Sequence, residues 1–238
     1  MTLNFKNIVI VLKETISAGN IGSTARAMTN MGLSELRLVQ PKANHLDDQA
    51  CKLAHGCHDF LKEIKVFTSL KNAVEDCSLL VATSHKIKRD KRLSLSAREL
   101  GKNLIPYCIN NKVAILFGRE DFGLSNEDIN LCSWLVNIPT ARPYPALNLA
   151  QAVMVICYEL FMTQPVDKCR EFSVFITYKE LENFLDFTKK YLNNIGFRHK
   201  NDKPEIFIGK LRRLLSRVGI QKSELNTLYK LFRQFDPE

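Results

Sequence analysis

Short, uninterrupted runs of apolar residues recur along this 238-residue chain, and they constrain its fold more than any other feature. Residues 7–12, 79–83 and 113–117 have the length and the apolar continuity of strands that are buried on both faces of a parallel sheet. Three further runs, at 35–39, 64–67 and 134–139, extend the set to six predicted strands. Helical spacing separates several of these runs. The pattern therefore predicts an α/β fold, with a mostly parallel sheet and helices on both faces.

The strand pattern ceases near Pro165, which predicts a domain over residues 1–164 and a small helical extension over residues 165–238. Thr177 and Glu180 have the spacing of a capping box at the start of a helix. A basic amphipathic helix is predicted over residues 208–218. The extension carries 15 Lys/Arg against 10 Asp/Glu, whereas the larger domain carries 19 against 15. More than half of the net charge of +9 therefore lies in the extension, which favours a polyanionic partner.

The seven cysteines are an odd number without paired spacing, which is typical of reduced thiols in a cytosolic protein. No apolar run reaches the roughly eighteen residues that a membrane span needs, and we expect no signal peptide. Two cysteines and two histidines lie close together in residues 51–58. A structural zinc site normally needs a second pair of ligands further along the chain. None is evident, so we expect no metal.

The first segment with possible chemistry is Gly19-Asn20-Ile21-Gly22-Ser23-Thr24-Ala25-Arg26. Residues 19–23 are predicted to form a turn that leads into a helix ending at Gly32. Arg26 would then lie one turn into that helix, where free N–H groups and a guanidinium together suit a phosphate. The alternative is a surface arginine that follows an ordinary turn.

Two further segments follow predicted strands, at the edge of the sheet where ligands of α/β proteins bind. In residues 118–124, two glycines allow a ligand to approach the backbone, and Glu120 could hold a ligand hydroxyl or orient an arginine. In residues 138–150, Asn148 begins an apolar helix predicted over residues 147–163. Asn148 is therefore a candidate for a hydrogen bond to a ligand, or else an ordinary N-cap.

A basic run occupies residues 85–92, directly after the predicted strand 79–83. It contains five bases and one acid, which suits electrostatic contact with phosphates. Because the run begins at the ligand edge of the sheet, we expect Lys86, Lys88 and Arg89 to contact a nucleic acid. A solvated loop without a ligand is the alternative.

With these segments in view, the chain resembles the SPOUT class of RNA methyltransferases over nearly its whole length. Within the class it is most similar to the bacterial enzymes that methylate a tRNA ribose 2′-hydroxyl at nucleotide 32 of the anticodon loop. Two stretches carry that closer resemblance, residues 14–32 and a C-terminal segment that contains Lys210-Leu211-Arg212-Arg213-Leu214 and Glu224-Leu225-Asn226. The resemblance implies a C-terminal trefoil knot, an exception to the usual absence of knots. It also implies S-adenosylmethionine as cofactor, tRNA as substrate, and a homodimer with sites at the subunit interface.

The resemblance also implies residue roles. The catalytic candidates are Arg26, Asn20, Glu120 and Asn148, with Arg26 reaching the site of the partner subunit. The cofactor candidates are Thr83, Ser84, Gly118, Arg119, Glu120, Ile138, Leu147 and Asn148. The RNA-binding candidates are Arg26, Lys86, Lys88, Arg89, Arg212 and Arg213.

The chain departs from the SPOUT pattern at two places. Ala146 stands where the class usually has a serine near the methyl-transfer centre. Lys86 and Lys88 replace arginines, which keeps the charge but loses bidentate contact with phosphates. Two alternatives therefore stay open. One is an RNA-binding protein with little or no activity on the same scaffold. The other is the same chemistry at another nucleotide of tRNA or ribosomal RNA.

Overall fold

A seven-stranded sheet forms the centre of the protein, whose computed structural model describes residues 3–84, 93–141, 146–163, 174–197 and 204–234. In chain order the strands are β1 (Ile8–Lys13), β2 (Glu35–Val39), β3 (Lys65–Phe67), β4 (Cys77–Thr83), β5 (Leu93–Ser96), β6 (Lys112–Phe117) and β7 (Trp134–Asn137). In space their order is β3-β2-β1-β6-β4-β7-β5, and every neighbouring pair is parallel. The predicted parallel sheet is confirmed, and β5 is a strand that the sequence pattern did not predict.

Helices cover both faces of the sheet, as predicted. They are α1 (Ala18–Asn30), α2 (Asp48–Leu53), α3 (His58–Lys62), α4 (Leu70–Ala73), α5 (Ala97–Cys108), α6 (Asn126–Leu131) and α7 (Leu149–Phe161). On one face, Ile8 and Leu12 of β1 pack in a core with α1, α5 and α7. On the other face, Val9 and Val11 pack with α4 and with residues that flank α6. Successive residues of β1 thus enter two different cores, which explains its unbroken apolar run.

Helix α1 begins earlier than the sequence pattern predicts. The predicted turn over residues 19–23 is wrong, because Ser17 caps the helix and Ala18 is its first residue. Gly22 lies against α2, and a Cβ added there would be 2.1 Å from the carbonyl oxygen of Ala50. Glycine at this position therefore allows two helices to cross closely, which is a packing reason for a glycine inside a helix.

An ion-pair network around a buried arginine lies at the amino end of the sheet. Arg37 of β2 is only 3% exposed. Its guanidinium donates to the carboxylates of Glu35 and Asp76 and, at 2.6 Å, to the carbonyl of Ala73. Lys112 at the start of β6 joins both carboxylates, at 3.0 Å from Glu35 and 3.1 Å from Asp76. The network thus ties together the chain segments at which β2, β4 and β6 begin.

The described residues of the C-terminal extension form three helices, namely α8 (Tyr178–Asn194), α9 (Pro204–Val218) and α10 (Lys222–Gln234). The predicted capping box of Thr177 and Glu180 begins α8. The three helices share a hydrophobic core of their own, which includes Phe184, Ile208 and Leu225. The predicted boundary near residue 164 falls outside the described residues, so the division into two domains stays a prediction.

The extension docks on the amino end of the sheet. The Ser78 hydroxyl in β4 donates to the carbonyl of Phe175 at 3.3 Å. The Phe175 N–H donates to the side chain of Asn111, just before β6, at 2.9 Å. The ring of Tyr107 in α5 stacks on that of Phe175, with centroids 4.9 Å apart. The extension therefore contacts the edge of the sheet that is opposite to the carboxyl ends of the strands.

In the part of the chain that the structure describes, no helix is long and apolar enough to cross a membrane. Six cysteines lie in this part, and all six are free thiols. Burial raises the pKa of Cys108 and of Cys157 to about 12. The trefoil knot stays a prediction, because residues 85–92 and 142–145, in the connections after β4 and β7, lie outside the described residues.

Candidate functional site

The carboxyl ends of β4, β6 and β7 are tied together by hydrogen bonds at one edge of the sheet. The Thr83 hydroxyl at the end of β4 donates to the carbonyl of Leu116 in β6, at 2.8 Å. The Ser84 N–H donates to the carbonyl of Val136 in β7, and the Asn137 side chain donates to the carbonyl of Ser84, each at 2.9 Å. The loops that leave these strands therefore start from a fixed frame, at the edge where open α/β sheets bind ligands.

The segment after β6 folds back on itself in a tight turn over residues 118–124. The Gly123 N–H donates to the carbonyl of Arg119 at 2.7 Å, and Gly123 has a positive φ of 75°. Gly118 lies so close to the returning chain that an added Cβ would be 2.0 Å from the carbonyl carbon of Gly123 and 2.2 Å from the nitrogen of Leu124. The space left by the missing side chain is thus filled by the turn itself, a reason for this glycine that the sequence analysis missed.

Glu120 in this turn reaches across to the first turn of α1. Its carboxylate accepts hydrogen bonds from the N–H groups of Ile16 at 3.0 Å and Ser17 at 3.2 Å, and from the Asn20 side chain at 2.9 Å. Burial would raise the pKa of Glu120, but these hydrogen bonds outweigh it, so the pKa is lowered. A negative charge therefore occupies the amino end of α1, where the helix dipole favours it.

Asn20 connects Glu120 to Asn148 at the start of α7. The Asn148 amide donates to the side-chain oxygen of Asn20 at 3.0 Å. The side-chain oxygen of Asn148 accepts from the N–H groups of Ala150 at 2.9 Å and Gln151 at 3.4 Å. Asn148 is therefore an N-cap, as one sequence interpretation proposed, and it also belongs to a chain of hydrogen bonds that runs from Glu120 through Asn20 to α7.

Arg26 stands apart from this chain of hydrogen bonds. It lies more than two turns into α1 and is exposed, so its expected place one turn into the helix is wrong. The helix end that was expected to bind a phosphate beside Arg26 is occupied by Glu120. No described residue forms an ion pair with Arg26. Three of the four catalytic candidates are thus joined by one series of hydrogen bonds, whereas the fourth, Arg26, faces solvent.

Arg119 lies on the other side of the turn, beside a pocket of about 210 Å³. Its Nε is 2.6 Å from Asp121 and its Nη1 is 3.8 Å from Glu14. Its Cζ lies 6.0 Å from the ring centre of Phe122, which also lines the pocket. Phe122 has no role among the predicted site residues, although an aromatic residue inside a polar turn is a signal that could have found it.

The remaining cofactor candidates lie at the same edge of the sheet. Ile138 follows β7 and packs partly against the core, and Leu147 precedes α7 and is 36% exposed. Thr83 and Ser84 are partly exposed beside them in the frame of strand ends. Partly exposed apolar side chains next to polar strand ends fit a nucleoside-like ligand, because the base needs apolar surface and the ribose needs hydrogen-bonding groups.

Apart from Arg26, the RNA-binding candidates fall into two groups. Three of them lie outside the described residues, namely Lys86, Lys88 and Arg89. Two others lie on α9. There Arg212 donates to the carboxylate of Glu182 in α8 at 3.0 Å, with only 21% of its side chain exposed, whereas Arg213 is exposed. Of these two arginines, only Arg213 presents its guanidinium freely to an RNA.

The cluster over residues 51–58 does not assemble into a metal site. Among the residues that the structure describes, no group of three or more His, Cys, Asp or Glu side chains has the arrangement to hold a metal ion. In this stretch, Cys51 and Cys57 pack partly against the main core instead.

We expect Glu120→Gln to lower the free energy of unfolding by about 2 kcal/mol, because three donors lose a charged acceptor. The lowered pKa means that the contribution of Glu120 is present above the ordinary value of 4.5 and is lost as the pH falls through the lower folded-state value. Urea denaturation at several pH values should therefore show a difference from wild type that is largest near neutral pH and shrinks in acid. Glu127→Gln, at an exposed position on α6, is the control. Equal stability of wild type and Glu120→Gln at pH 7 would contradict the assigned role.

Comparison with protein-family models matches residues 7–158 to the SpoU rRNA Methylase family. The matched stretch contains the hydrogen-bonded residues Asn20, Glu120 and Asn148. It ends within α7 and therefore excludes the helical extension.

Individual proteins extend the match to nearly the whole chain. A curated relative from Sodalis glossinidius, the tRNA (cytidine/uridine-2′-O-)-methyltransferase TrmJ, is 40% identical over 93% of this chain and 88% of its own length. The crystal structure of TrmJ from Z. mobilis ZM4 superposes with a TM-score of 0.82 at 27% identity, covering 96% of this chain and 99% of that one. The SpoU methyltransferase AviRb from Streptomyces viridochromogenes, solved in complex with AdoMet, shares the fold, with a TM-score of 0.51 at 23% identity over 66% of this chain and 60% of that one.

Proposed function

The chain belongs to the SpoU methylase family, and from that premise we propose that it methylates the 2′-hydroxyl of a tRNA ribose, with S-adenosylmethionine as the methyl donor. We propose nucleotide 32 of the anticodon loop as the target. The observation that carries the proposal is the chain of hydrogen bonds from Glu120 through Asn20 to Asn148. It joins three distant segments into one site at the carboxyl edge of the sheet, where a cofactor and a ribose can meet.

The proposed cofactor site uses the side chains and backbone that border this edge. The residues are Thr83, Ser84, Gly118, Arg119, Glu120, Ile138, Leu147 and Asn148. S-adenosylmethionine supplies a methyl group attached to a sulfonium, which is an activated donor. The tight turn over residues 118–124 and the N-cap of α7 are both held by hydrogen bonds, so this chain offers a preformed surface.

The proposed mechanism rests on positioning and on charge. A ribose hydroxyl is a poor nucleophile while it is protonated, so catalysis needs in-line placement and help with proton removal. A guanidinium stays protonated at physiological pH and is a poor base. We therefore assign Arg26 to the phosphate next to the target, where its charge also stabilises the alkoxide that develops as the hydroxyl proton passes to solvent water. Asn20, Glu120 and Asn148 hold the surrounding elements in place.

We propose that two copies of the chain form a homodimer in which Arg26 serves the site of the partner subunit. Exposed apolar side chains on α7 support this assembly, since Tyr158, Phe161 and Met162 are each between 48% and 53% exposed. Clustered apolar surface of this kind is typical of protein interfaces. The solvent-facing position of Arg26 within its own chain is also consistent with a role across the interface.

We expect Arg26→Ala to lower kcat by about a hundredfold, because one charged stabiliser of the transition state is lost. The affinity for the cofactor should stay unchanged. Arg98→Ala, which removes a side chain that is 86% exposed on α5, is the matched control. Mixing Arg26→Ala with inactive Asn148→Ala subunits should restore part of the activity, because one site of the mixed dimer is then intact. An Arg26→Ala protein that binds both ligands and keeps the full rate would overturn the assignment.

The first experiment is to incubate the protein with unmodified tRNA and labelled S-adenosylmethionine and then to map any 2′-O-methyl group. A label at nucleotide 32 on cytidine, uridine or both is the expected result. A label at another nucleotide of tRNA, or on ribosomal RNA, would move the target but keep the chemistry.

A second candidate function is favoured by Ala146, which is exposed at the edge of the site in place of the usual serine. The protein would then bind tRNA with little or no methyl transfer. Measured tRNA binding without incorporation of label would support this reading. Ala146→Ser would then be expected to raise the rate.

A further inference from the structure

We propose that Phe122 is a stacking platform for an unpaired nucleobase of the RNA substrate, next to the methyl-transfer site. This inference rests on the proposed function and adds a recognition residue to it. Phe122 is 72% exposed, the highest value among the large apolar side chains of the described residues. Exposure of an aromatic ring to water is unfavourable, so a ligand or another surface that covered this ring would stabilise it.

The ring is held by a rigid turn rather than by a loose loop. It projects from the turn in which Gly118 packs against the returning chain and Gly123 bonds to Arg119. Glu120 in the same turn is fixed to α1 by three hydrogen bonds. The ring therefore stands two residues away from a member of the site, with its backbone fixed before any ligand arrives, which lowers the cost of binding.

Charge near the ring argues against a phosphate as its ligand. Lys13 is 2.7 Å from Asp128, and Arg119 is paired with Asp121 and Glu14. Both cations that line the pocket in the described part of the chain are thus already paired with a carboxylate. A neutral, flat group fits this setting better than an anion, and every nucleobase offers such a face.

The surroundings also argue against a protein partner. A protein interface normally has several apolar residues at its centre, as on α7. Among the described residues that line the adjacent pocket, Phe122 is instead the one large apolar side chain, and its neighbours there include the charged and polar Glu14, Ser125 and Asp128. That pocket has a volume of about 210 Å³, which gives room for polar edge atoms of a base stacked on the ring.

The test compares three variants of the full chain. Phe122→Ala and Phe122→Leu remove the aromatic face, whereas Phe122→Trp keeps one. We expect the first two to raise the KM for tRNA about tenfold and to leave the dissociation constant of S-adenosylmethionine unchanged. Phe122→Trp should keep the wild-type KM. Normal KM in Phe122→Leu would overturn the proposal, since an apolar contact without stacking would then suffice.

A fluorescence measurement makes the inference independent of methyl transfer. The chain has one tryptophan, Trp134, which is 4% exposed, so Phe122→Trp adds an exposed indole. An unmodified anticodon stem-loop RNA should quench that indole and leave wild-type emission unchanged. If the wild type methylates no RNA, the proposed function fails, yet quenching would still support the platform. Absence of quenching at an RNA concentration that saturates binding would overturn the proposed platform.

Light scattering tests whether the ring is instead a contact between copies of the chain. A changed molecular mass of Phe122→Ala would show such a contact and would overturn the proposal.

Discussion

Gly118→Ala is expected to lower the rate of methyl transfer about a hundredfold, to weaken the binding of S-adenosylmethionine, and to lower the free energy of unfolding by about 3 kcal/mol. The added methyl group would lie 2.0 Å from the carbonyl carbon of Gly123 and 2.2 Å from the nitrogen of Leu124. Both neighbours are backbone atoms, so relief requires the turn to open. Opening moves Glu120 away from α1, and a displacement of about 1 Å at a catalytic site costs about a hundredfold in rate.

Gly56→Ala is the matched control for this substitution. Gly56 has a φ of +83° and nothing within 4 Å of an added Cβ, so the variant is strained by about 1 kcal/mol but causes no collision. It should lose some thermal stability and keep full activity. Calorimetric binding of S-adenosylmethionine and initial methylation rates separate the two variants. Wild-type cofactor affinity in Gly118→Ala would show that the turn can open without consequence for the site.

Arg37→Met is expected to lower the free energy of unfolding by about 3 kcal/mol, because it removes the buried partner of two partly exposed carboxylates, which then keep only Lys112. For a chain of this length that corresponds to a fall of roughly 10 °C in Tm. Lys62→Met breaks an ion pair with Asp59 in which the two side chains are 69% and 94% exposed, and it should change Tm little. Thermal unfolding of the three proteins at neutral pH is the measurement.

The effect of Arg37→Met on stability should depend on pH, because the substitution removes a partner of two carboxylates. Burial would raise the pKa of Asp76, but hydrogen bonds and charge from Arg37 lower it well below the ordinary value of 3.8. The stabilisation from Asp76 is therefore fully present above the ordinary pKa of 3.8, and it is lost as the pH falls from there through the lower folded-state pKa. The gap in stability between wild type and variant should narrow from pH 7 to pH 3. A gap that stays constant over this range would show that the lost contacts, rather than the charges, account for the effect.

Six of the seven strands were predictable because each is a local apolar pattern, whereas β5 was not predicted. β1 and β6 are apolar almost without interruption, since both of their faces are buried.

The helix α5 was not predicted, although Ser96 and Glu99 form a capping box at its start. Gly101 and Pro106 within it argue against a helix by propensity. The structure explains Gly101, because a Cβ there would be 1.7 Å from the Thr163 hydroxyl, at the close contact between α5 and the end of α7.

The members of the candidate site were also predictable, but their partners were not. Asn20, Glu120 and Asn148 each stand in a short segment of unusual composition, which a single sequence can reveal. That Glu120 bonds to Asn20 and Asn148 to Asn20 depends on the order of β1 and β6 in the sheet and on α7 packing beside α1. Contacts across about a hundred residues are set by that arrangement, and no local pattern encodes it. The same limit explains why Arg26 was expected beside a phosphate-binding helix end that Glu120 occupies.

The docking of the extension at the amino end of the sheet separates two parts of the molecule that can change independently. Its contacts through Phe175 and Ser78 lie one strand length, about 20 Å, from the carboxyl ends on which the candidate site is built. Most of its buried apolar residues form a core of their own, although Tyr178 of α8 packs in a core of the sheet. Over evolutionary time, substitutions on α9 and α10 can therefore alter the charge and shape that the protein offers to a large substrate without disturbing the chemistry at the opposite edge. In the same way, the substrate preference of an engineered protein could be changed by replacing the extension at its contacts around Phe175.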